Sequence, residues 1–270
     1  MVINNNTKIE ILEKKNSTTK LKIDGIVYYA KKDPNFYEVI CSEIAKVCGL
    51  KCFSYEPIVI NNEIRDCLGE HFFTNNTLPT ENVNYVFSKD ISYEGDFISF
   101  VDFFEDRRHT CSLYDIWNVL EQKIPDKCSN IMNQVILMYI FDFLIMNSDR
   151  ETLNYGILNN EYLVILDNQA SFTEWVQTIA PEDSSIFSDN MYEDIEEFLN
   201  ISSNETLKLF EEILVRLKPE IFNKVLNNIE RCNLINIPNK RSIQAKYRIN
   251  YYKIYKILEK IKEKQHISKR

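Results

Sequence analysis

Apolar and polar positions alternate with a period of two at the start of the chain. In KIEILEKKNSTTKLKIDGIVYYAKK, residues 8–32, three strand-like segments follow one another, the first alternating across Ile9, Ile11 and Glu13. Asp24-Gly25 supplies a tight turn between the second and third. After Pro34 the period lengthens. Tyr37, Ile40, Ile44, Val47 and Cys48 fall at helical spacing, and Gly49 is placed to end that helix as a C-cap. FSYEPIVINNEIRDCLGEHFF, residues 53–73, returns to strands, with Asn61-Asn62 as a hairpin turn. From about residue 97 the pattern becomes helical. Helices are predicted near 113–122, 131–147, 191–200, 205–216 and 219–231, and over 247–264, where Tyr251, Ile254, Ile257 and Ile261 form an amphipathic stripe. Segment 131–147 is apolar on nearly every side and is the predicted central buried helix. The layout is α+β: a small β-rich part over 1–74 and a larger, helical part over 75–270.

The chain has 270 residues, enough for one large domain or two lobes with a real core. With only 5 Gly and 7 Pro, it is neither a turn-rich all-β chain nor low in complexity. The N-terminus MVINNNTKIEILEKK is polar and lacks a signal pattern. The longest apolar run, Val135 to Met146, is short for a transmembrane span and contains Asp142. The 7 Cys form no CxxC pair and read as reduced thiols of a cytoplasmic protein, with export lacking a cleavable signal as the alternative. The 3 His are scattered and imply neither a zinc site nor a histidine triad. Charge is uneven: residues 238–270 carry +9 and residues 1–237 carry −17, for the whole-chain −8. A basic tail of this kind is either a solvated helix face on an acidic body or a contact for an anionic partner.

The stretch IMNSDRETLNYGILNNEYLVILDNQ, Ile145 to Gln169, carries the candidate chemistry. A buried helix ends abruptly in Ser-Asp-Arg-Glu, and a hairpin turning at Asn159-Asn160 follows. A two-residue loop would set Leu158 against Glu161 and Asn154 against Ile165, so that Asn154 and Asp167 share a face. With Asp149 at the helix end, three oxygen-bearing side chains converge. Carboxylate and carboxamide oxygens suit Mg2+ carrying a phosphate substrate, and a carboxylate beside them can accept a hydroxyl proton.

FDFLIMNSDRETLNYGIL and LVILDNQASF resemble the signature of the HipA-like Ser/Thr protein kinases, in particular their compact CtkA-like members. That signature is a helix ending in Asn-Thr-Asp-Arg-His, an Asn shortly after, then a strand and an Asp. The resemblance runs from residue 8 to about 172; beyond that it consists only in being helical. It implies a two-lobed protein-kinase-like fold with ATP between the lobes. It makes Asp149 the catalytic base and Asn154 and Asp167 the Mg2+ ligands. The lysine reaching the ATP phosphates is Lys31 or Lys32, which face opposite sides of the third strand; Lys31 has the better spacing to the helix. Its acidic partner is Glu38 by family position, with Glu43 as the rival beside the apolar stripe. The adenine-binding hinge falls in CLGEHFF, around Gly69 and Glu70.

Three departures stand out. Glu151 replaces the family His, adding negative charge beside a triphosphate site. Asp167 is followed by Asn168-Gln169 and no Gly. The phosphate-covering turn KKNSTTK lacks glycine, leaving Ser17, Thr18 and Thr19 to offer backbone N–H groups and hydroxyls. The resemblance also implies a separately encoded antitoxin-like partner, since no direct DNA-binding motif is present in the sequence. Two other functions remain open on this scaffold: a pseudokinase interaction module, and a small-molecule or lipid kinase.

Overall fold

The computed structural model describes residues 7–15, 18–33, 36–59, 84–107, 111–147, 149–168, 171–172, 196, 199–200, 204–233 and 236–268. Its N-terminal region is rich in β-sheet and its C-terminal region is helical, an α+β architecture. Three strands open the chain: β1 (Ile9–Lys15), β2 (Thr18–Ile23) and β3 (Ile26–Lys32). Asp24 and Gly25 both take positive φ, so the turn between β2 and β3 is the tight one the sequence predicts. Helix α1 (Tyr37–Cys48) follows. Gly49 ends it in the left-handed region at φ 88, returning its N–H to the carbonyls of Ala45 and Lys46.

After the short β4 (Lys51–Cys52) and β5 (Tyr55–Val59), β6 (Asn84–Lys89) inserts between β3 and β5, giving an antiparallel sheet in the order β1-β2-β3-β6-β5. The sheet therefore runs past residue 74. The Asn61-Asn62 turn lies outside the described residues. A second sheet, β4-β9-β8-β7, is built from β7 (Phe97–Ser99), β8 (Tyr155–Leu158) and β9 (Tyr162–Ile165), with β4 joining β9 in parallel. Neither β4, β6 nor β7 was legible from alternation: β4 and β7 are short, and β6 carries Tyr85, Val86 and Phe87 in a row, so each is defined by its partner rather than by its own pattern.

Between β7 and β8 lie α2 (Leu113–Lys123) and α3 (Cys128–Ile145). Ser112 and Asp115 cap the start of α2 reciprocally, side chain to backbone in both directions. Helix α3 is buried almost all round, as its uniform hydrophobicity demands, with Ile131, Val135, Ile140 and Phe141 completely enclosed. Pro125–Ile145 is long and apolar enough to cross a bilayer, yet 72% of its most apolar stretch is buried inside the protein. Helices α4 (Asn204–Arg216), α5 (Pro219–Asn233) and α6 (Lys240–Ser268) complete the chain. A single core cluster runs from α1 through α3 to α6, where Tyr251, Ile254, Ile257 and Ile261 point inward. Phe222 of α5 stacks on Tyr247 of α6 at 3.9 Å, and Asn250 of α6 donates to the Phe143 carbonyl of α3 at 3.1 Å.

The β8–β9 hairpin corrects one expectation. Leu158 pairs with Tyr162 and Tyr155 with Ile165, so the loop has three residues, Asn159 to Glu161, and the register shifts by one. The Glu161 N–H donates to the Leu158 carbonyl at 3.0 Å, closing a β-turn over Asn159-Asn160, but the strand pairing resumes one residue further on, at Tyr162. Asn159 and Asn160 do take positive φ, as their chemistry permits. Asn159 is also tied outward, receiving the Asp96 N–H at its Oδ1 at 2.9 Å. Gln134 of α3 braces the hairpin, donating to the Glu161 carbonyl and accepting the Leu163 N–H. Gly156 is required where β7 crosses, since a Cβ there would come within 2.4 Å of both the Ile98 carbonyl oxygen and the Phe97 ring.

Candidate functional site

Helix α3 stops at Met146, which adopts the left-handed conformation, and Asn147 sends its N–H back to the Asp142 carbonyl at 2.9 Å. The loop that follows is held from inside by Arg150. Its Nε and Nη2 donate to the two oxygens of Asp142, each at 2.8 Å. Asp142 is completely buried, so this fork-to-fork pair answers the lone carboxylate inside an apolar helix. The same guanidinium donates from Nη1 to the carbonyls of Asn154 and Leu166, and from Nη2 to Asn168 Oδ1 at 2.6 Å. Arg150 thereby holds the backbone at Asn154 and Leu166 and the side chain of Asn168. Asp142 outweighs the effect of burial and holds the guanidinium above its ordinary pKa.

Asn154 closes a 3-10 turn, Thr152–Asn154, and accepts the Leu166 N–H at its carbonyl at 2.8 Å. Its position opposite Leu166 follows from the shifted register. Asp167 then takes φ 44, and this turn of the backbone redirects its side chain. In place of the shared strand face expected from a two-residue loop, Asn154 ends a 3-10 turn and Asp167 is a left-handed residue. Asn154 Nδ2 donates to the Asp149 carbonyl at 2.6 Å, and Asp149 N–H donates to Asn147 Oδ1 at 3.1 Å. The amide donor of Asn154 is thus engaged within the loop, leaving Oδ1 as the end suited to a cation.

Across from this loop, Lys31 of β3 places Nζ 2.9 Å from Glu38 Oε1 and 2.9 Å from Asp167 Oδ2. Lys31 is 6% exposed and Glu38 fully buried. Burial works to lower the Lys31 pKa, but Glu38 and then Asp167 outweigh it and raise it above the usual lysine value. Burial pushes the Glu38 carboxyl up to about 7 against the pull of Lys31, with Asp167 adding to the rise. The other Glu38 oxygen accepts the Asn168 N–H at 2.9 Å, joining α1 directly to the segment after β9. Asp33 supports this arrangement by accepting the N–H groups of Tyr37 and Glu38, at 3.0 and 2.8 Å, at the start of α1. Asp149 stands above the usual aspartate range, through burial first and then through the charges of Glu151 and Asp167.

The candidate residues differ in their contacts. Glu38 reaches Lys31, whereas Glu43 bonds to Lys46 on the outer flank of α1. Lys31 enters the carboxylate cluster, whereas Lys32 pairs with Tyr85 in the β3–β6 register. Thr18 lies opposite Lys31, and Thr19 lies opposite Ala30 on the other face of β2. Both are strand residues, not turn residues as the sequence had implied. Ser17, Gly69 and Glu70 lie outside the described residues.

Sequence reasoning assigned no role to Asp33, Asp142, Asn147, Arg150 or Asn168. Asp142 carried a signal, since a carboxylate within a twelve-residue apolar run needs a buried partner, and Arg150 is the nearest arginine following it. Asn168 carried none, because its role depends on a contact with a residue 130 positions away.

Among the described residues no group of three His, Cys, Asp or Glu could hold a metal ion. The donor set of Asp167 and Asn154 Oδ1 nonetheless fits Mg2+, which binds through one or two protein oxygens and completes its octahedral shell with water and substrate phosphate.

No protein-family model matches the chain, and no curated protein matches it by sequence. Solved structures do. The chain is similar to the Helicobacter pylori proinflammatory kinase CtkA, with a TM-score of 0.65 and 15% identity over 95% of this chain and 95% of that one. It is also similar to the HipA toxin of Shewanella oneidensis MR-1, solved with HipB and operator DNA, with a TM-score of 0.58 and 11% identity over 94% of this chain and 67% of that one. At this identity the likeness establishes the fold: the chain has a HipA-like kinase scaffold.

Proposed function

We propose that the chain is an ATP- and Mg2+-dependent Ser/Thr protein kinase, and that Asp149 is its catalytic base. The observation that carries this reading is the Lys31 ammonium, bound to both Glu38 and Asp167 at 2.9 Å, with Asp149 close enough for its protonation to feel Asp167 and Lys31. Phosphoryl transfer depends on positioning and charge neutralisation, which this cluster supplies. Lys31 would neutralise phosphate oxygens while Glu38 keeps it extended from β3. Asp167 and Asn154 Oδ1 would hold Mg2+, which offsets charge on the transferred group. The hydroxyl oxygen bonds to the γ-phosphorus as the bond to the β–γ bridging oxygen breaks. ADP leaves, and the hydroxyl proton passes to the Asp149 carboxylate. A raised pKa suits that role, because a stronger base takes the proton more readily.

The test is incubation with γ-labelled ATP, Mg2+ and generic Ser/Thr acceptors. Wild type should label them, and Asp149→Asn should lower the rate by about 10²–10⁴-fold without losing nucleotide. Equal labelling by both would remove Asp149 from the mechanism.

A second reading rests on Glu151, whose charge acts on Asp149 at the place where the family carries His. On that reading the chain is a pseudokinase, an interaction module that binds nucleotide weakly. Calorimetry separates the two, since tight Mg2+-dependent ATP binding counts against it. A small-molecule or lipid kinase on this scaffold would appear as transfer to those acceptors in preference to proteins. The HipA neighbour was solved with HipB, and a separately encoded antitoxin-like partner, with a cytoplasmic location, belongs to the same proposal.

A further inference from the structure

Helix α6 buries one face and leaves the other bare. Within Lys240–Leu258 there are six Lys or Arg residues and no Asp or Glu. Arg241, Arg248, Lys253 and Lys256 lie on the exposed side. Between them project three large side chains: Ile249, 59% exposed, Tyr252 and Tyr255. Residues 241, 245, 248, 249, 252 and 256 follow the three-and-four spacing of one helical face, opposite the buried Tyr247, Tyr251 and Ile254. Lys240 is held by Glu230, and nearer the C-terminus Lys260 and Lys262 pair with Glu196 and Glu211. Arg241, Arg248, Lys253 and Lys256, between them, are exposed and make no ion pair among the described residues.

We propose that this outer face of α6 docks on an anionic phospholipid surface. Charge selects the sign of the partner. The C-terminal segment carries +9 against −17 on the rest of the chain, so a negative surface attracts this helix and repels the body. The apolar residues select a bilayer over nucleic acid. Ile249, the most exposed of the three, has nothing to gain from stacking on a base, whereas it can enter the headgroup boundary. Tyrosine rings settle at that boundary with the hydroxyl in water, and Arg and Lys reach outward to lipid phosphates. A convex helix face also fits a flat surface, whereas single-stranded nucleic acid is bound in grooves.

The experiment is flotation of the full chain with phosphatidylcholine vesicles, with and without phosphatidylserine. Binding should require phosphatidylserine. Arg248→Gln, Lys253→Gln and Lys256→Gln together should lower partitioning by about 10²-fold. Ile249→Ser with Tyr252→Ser should lower it by roughly tenfold. The wild-type chain gives a readout that needs no variant, since its binding should fall steeply with added salt. Absence of binding, binding unaffected by salt or by either set of substitutions, or binding to a single-stranded oligonucleotide in place of vesicles would overturn the proposal.

Discussion

Arg150 meets Asp142 eight residues earlier through two hydrogen bonds of 2.8 Å, inside the protein and away from water. That pair anchors the loop that carries Asp149 and Asn154. Its remaining N–H groups hold the backbone at Asn154, Leu166 and the side chain of Asn168. Removing one member leaves a buried charge without its partner, which costs about 3–5 kcal/mol. Arg150→Ala and Asp142→Ala should each lower unfolding stability by this amount in urea titrations. Arg150→Lys should rescue little, because an ammonium cannot span both carboxylate oxygens and three further acceptors.

Glu38 makes stability depend on pH. Its pKa rises from a carboxylate's usual value to about 7 in the folded chain, mainly through burial. A group raised on folding stabilises the native state at pH below its unfolded pKa, and that contribution is lost as pH rises through the folded value. Without nucleotide, the chain should therefore lose stability between about pH 4.5 and pH 7, by at most roughly 3 kcal/mol. Glu38→Gln should flatten this slope in thermal melts across the same range. A wild-type curve that rises over that range would show Glu38 ionised throughout.

Glu151 should set the acid limb of the activity profile. It is one of the charges holding Asp149 above the aspartate range. Glu151→Gln or Glu151→His should lower the Asp149 pKa and move the acid limb of the pH–rate profile to lower pH. Nucleotide affinity, followed by calorimetry, should rise in both variants as negative charge leaves the site.

Lys31→Met should separate binding from folding. The substitution leaves Glu38 buried with a backbone N–H from Asn168 but no cation. Glu38 should then stay protonated to higher pH, and the stability slope should extend upward with it. ATP binding by calorimetry should be lost. Lys32→Met should retain binding.

Gly156→Ala tests how the second sheet closes. A methyl there meets the Ile98 carbonyl and the Phe97 ring, so β7 must shift away from β8. The expected loss is about 1–3 kcal/mol in urea titration.

Much of this scaffold was written locally. Alternation marked β1 to β3, the Asp24-Gly25 turn fixed their hairpin, and helical spacing with Gly49 bounded α1. The uniform hydrophobicity of α3 announced its burial. Asp149, Asn154 and Asp167 could be singled out because their residue types and order match a phosphotransfer signature. The failures share one cause. β4, β6 and β7 are defined by the strands that pair with them, and none shows an alternating period of its own. The hairpin register was missed by one residue, in a loop whose Asn159 is tied to Asp96, 63 positions away, a contact that local turn chemistry does not contain.

By itself, then, the sequence determined where helices and the first strands form and which residue types could do chemistry, because backbone periodicity and turn preference act over a few neighbours. Only the tertiary structure decided that Lys31 pairs with Glu38 and Asp167 while Glu43 pairs with Lys46, and that Arg150 meets Asp142. Those choices depend on which side chains are forced together away from water, where a charge must find its partner however far along the chain it lies.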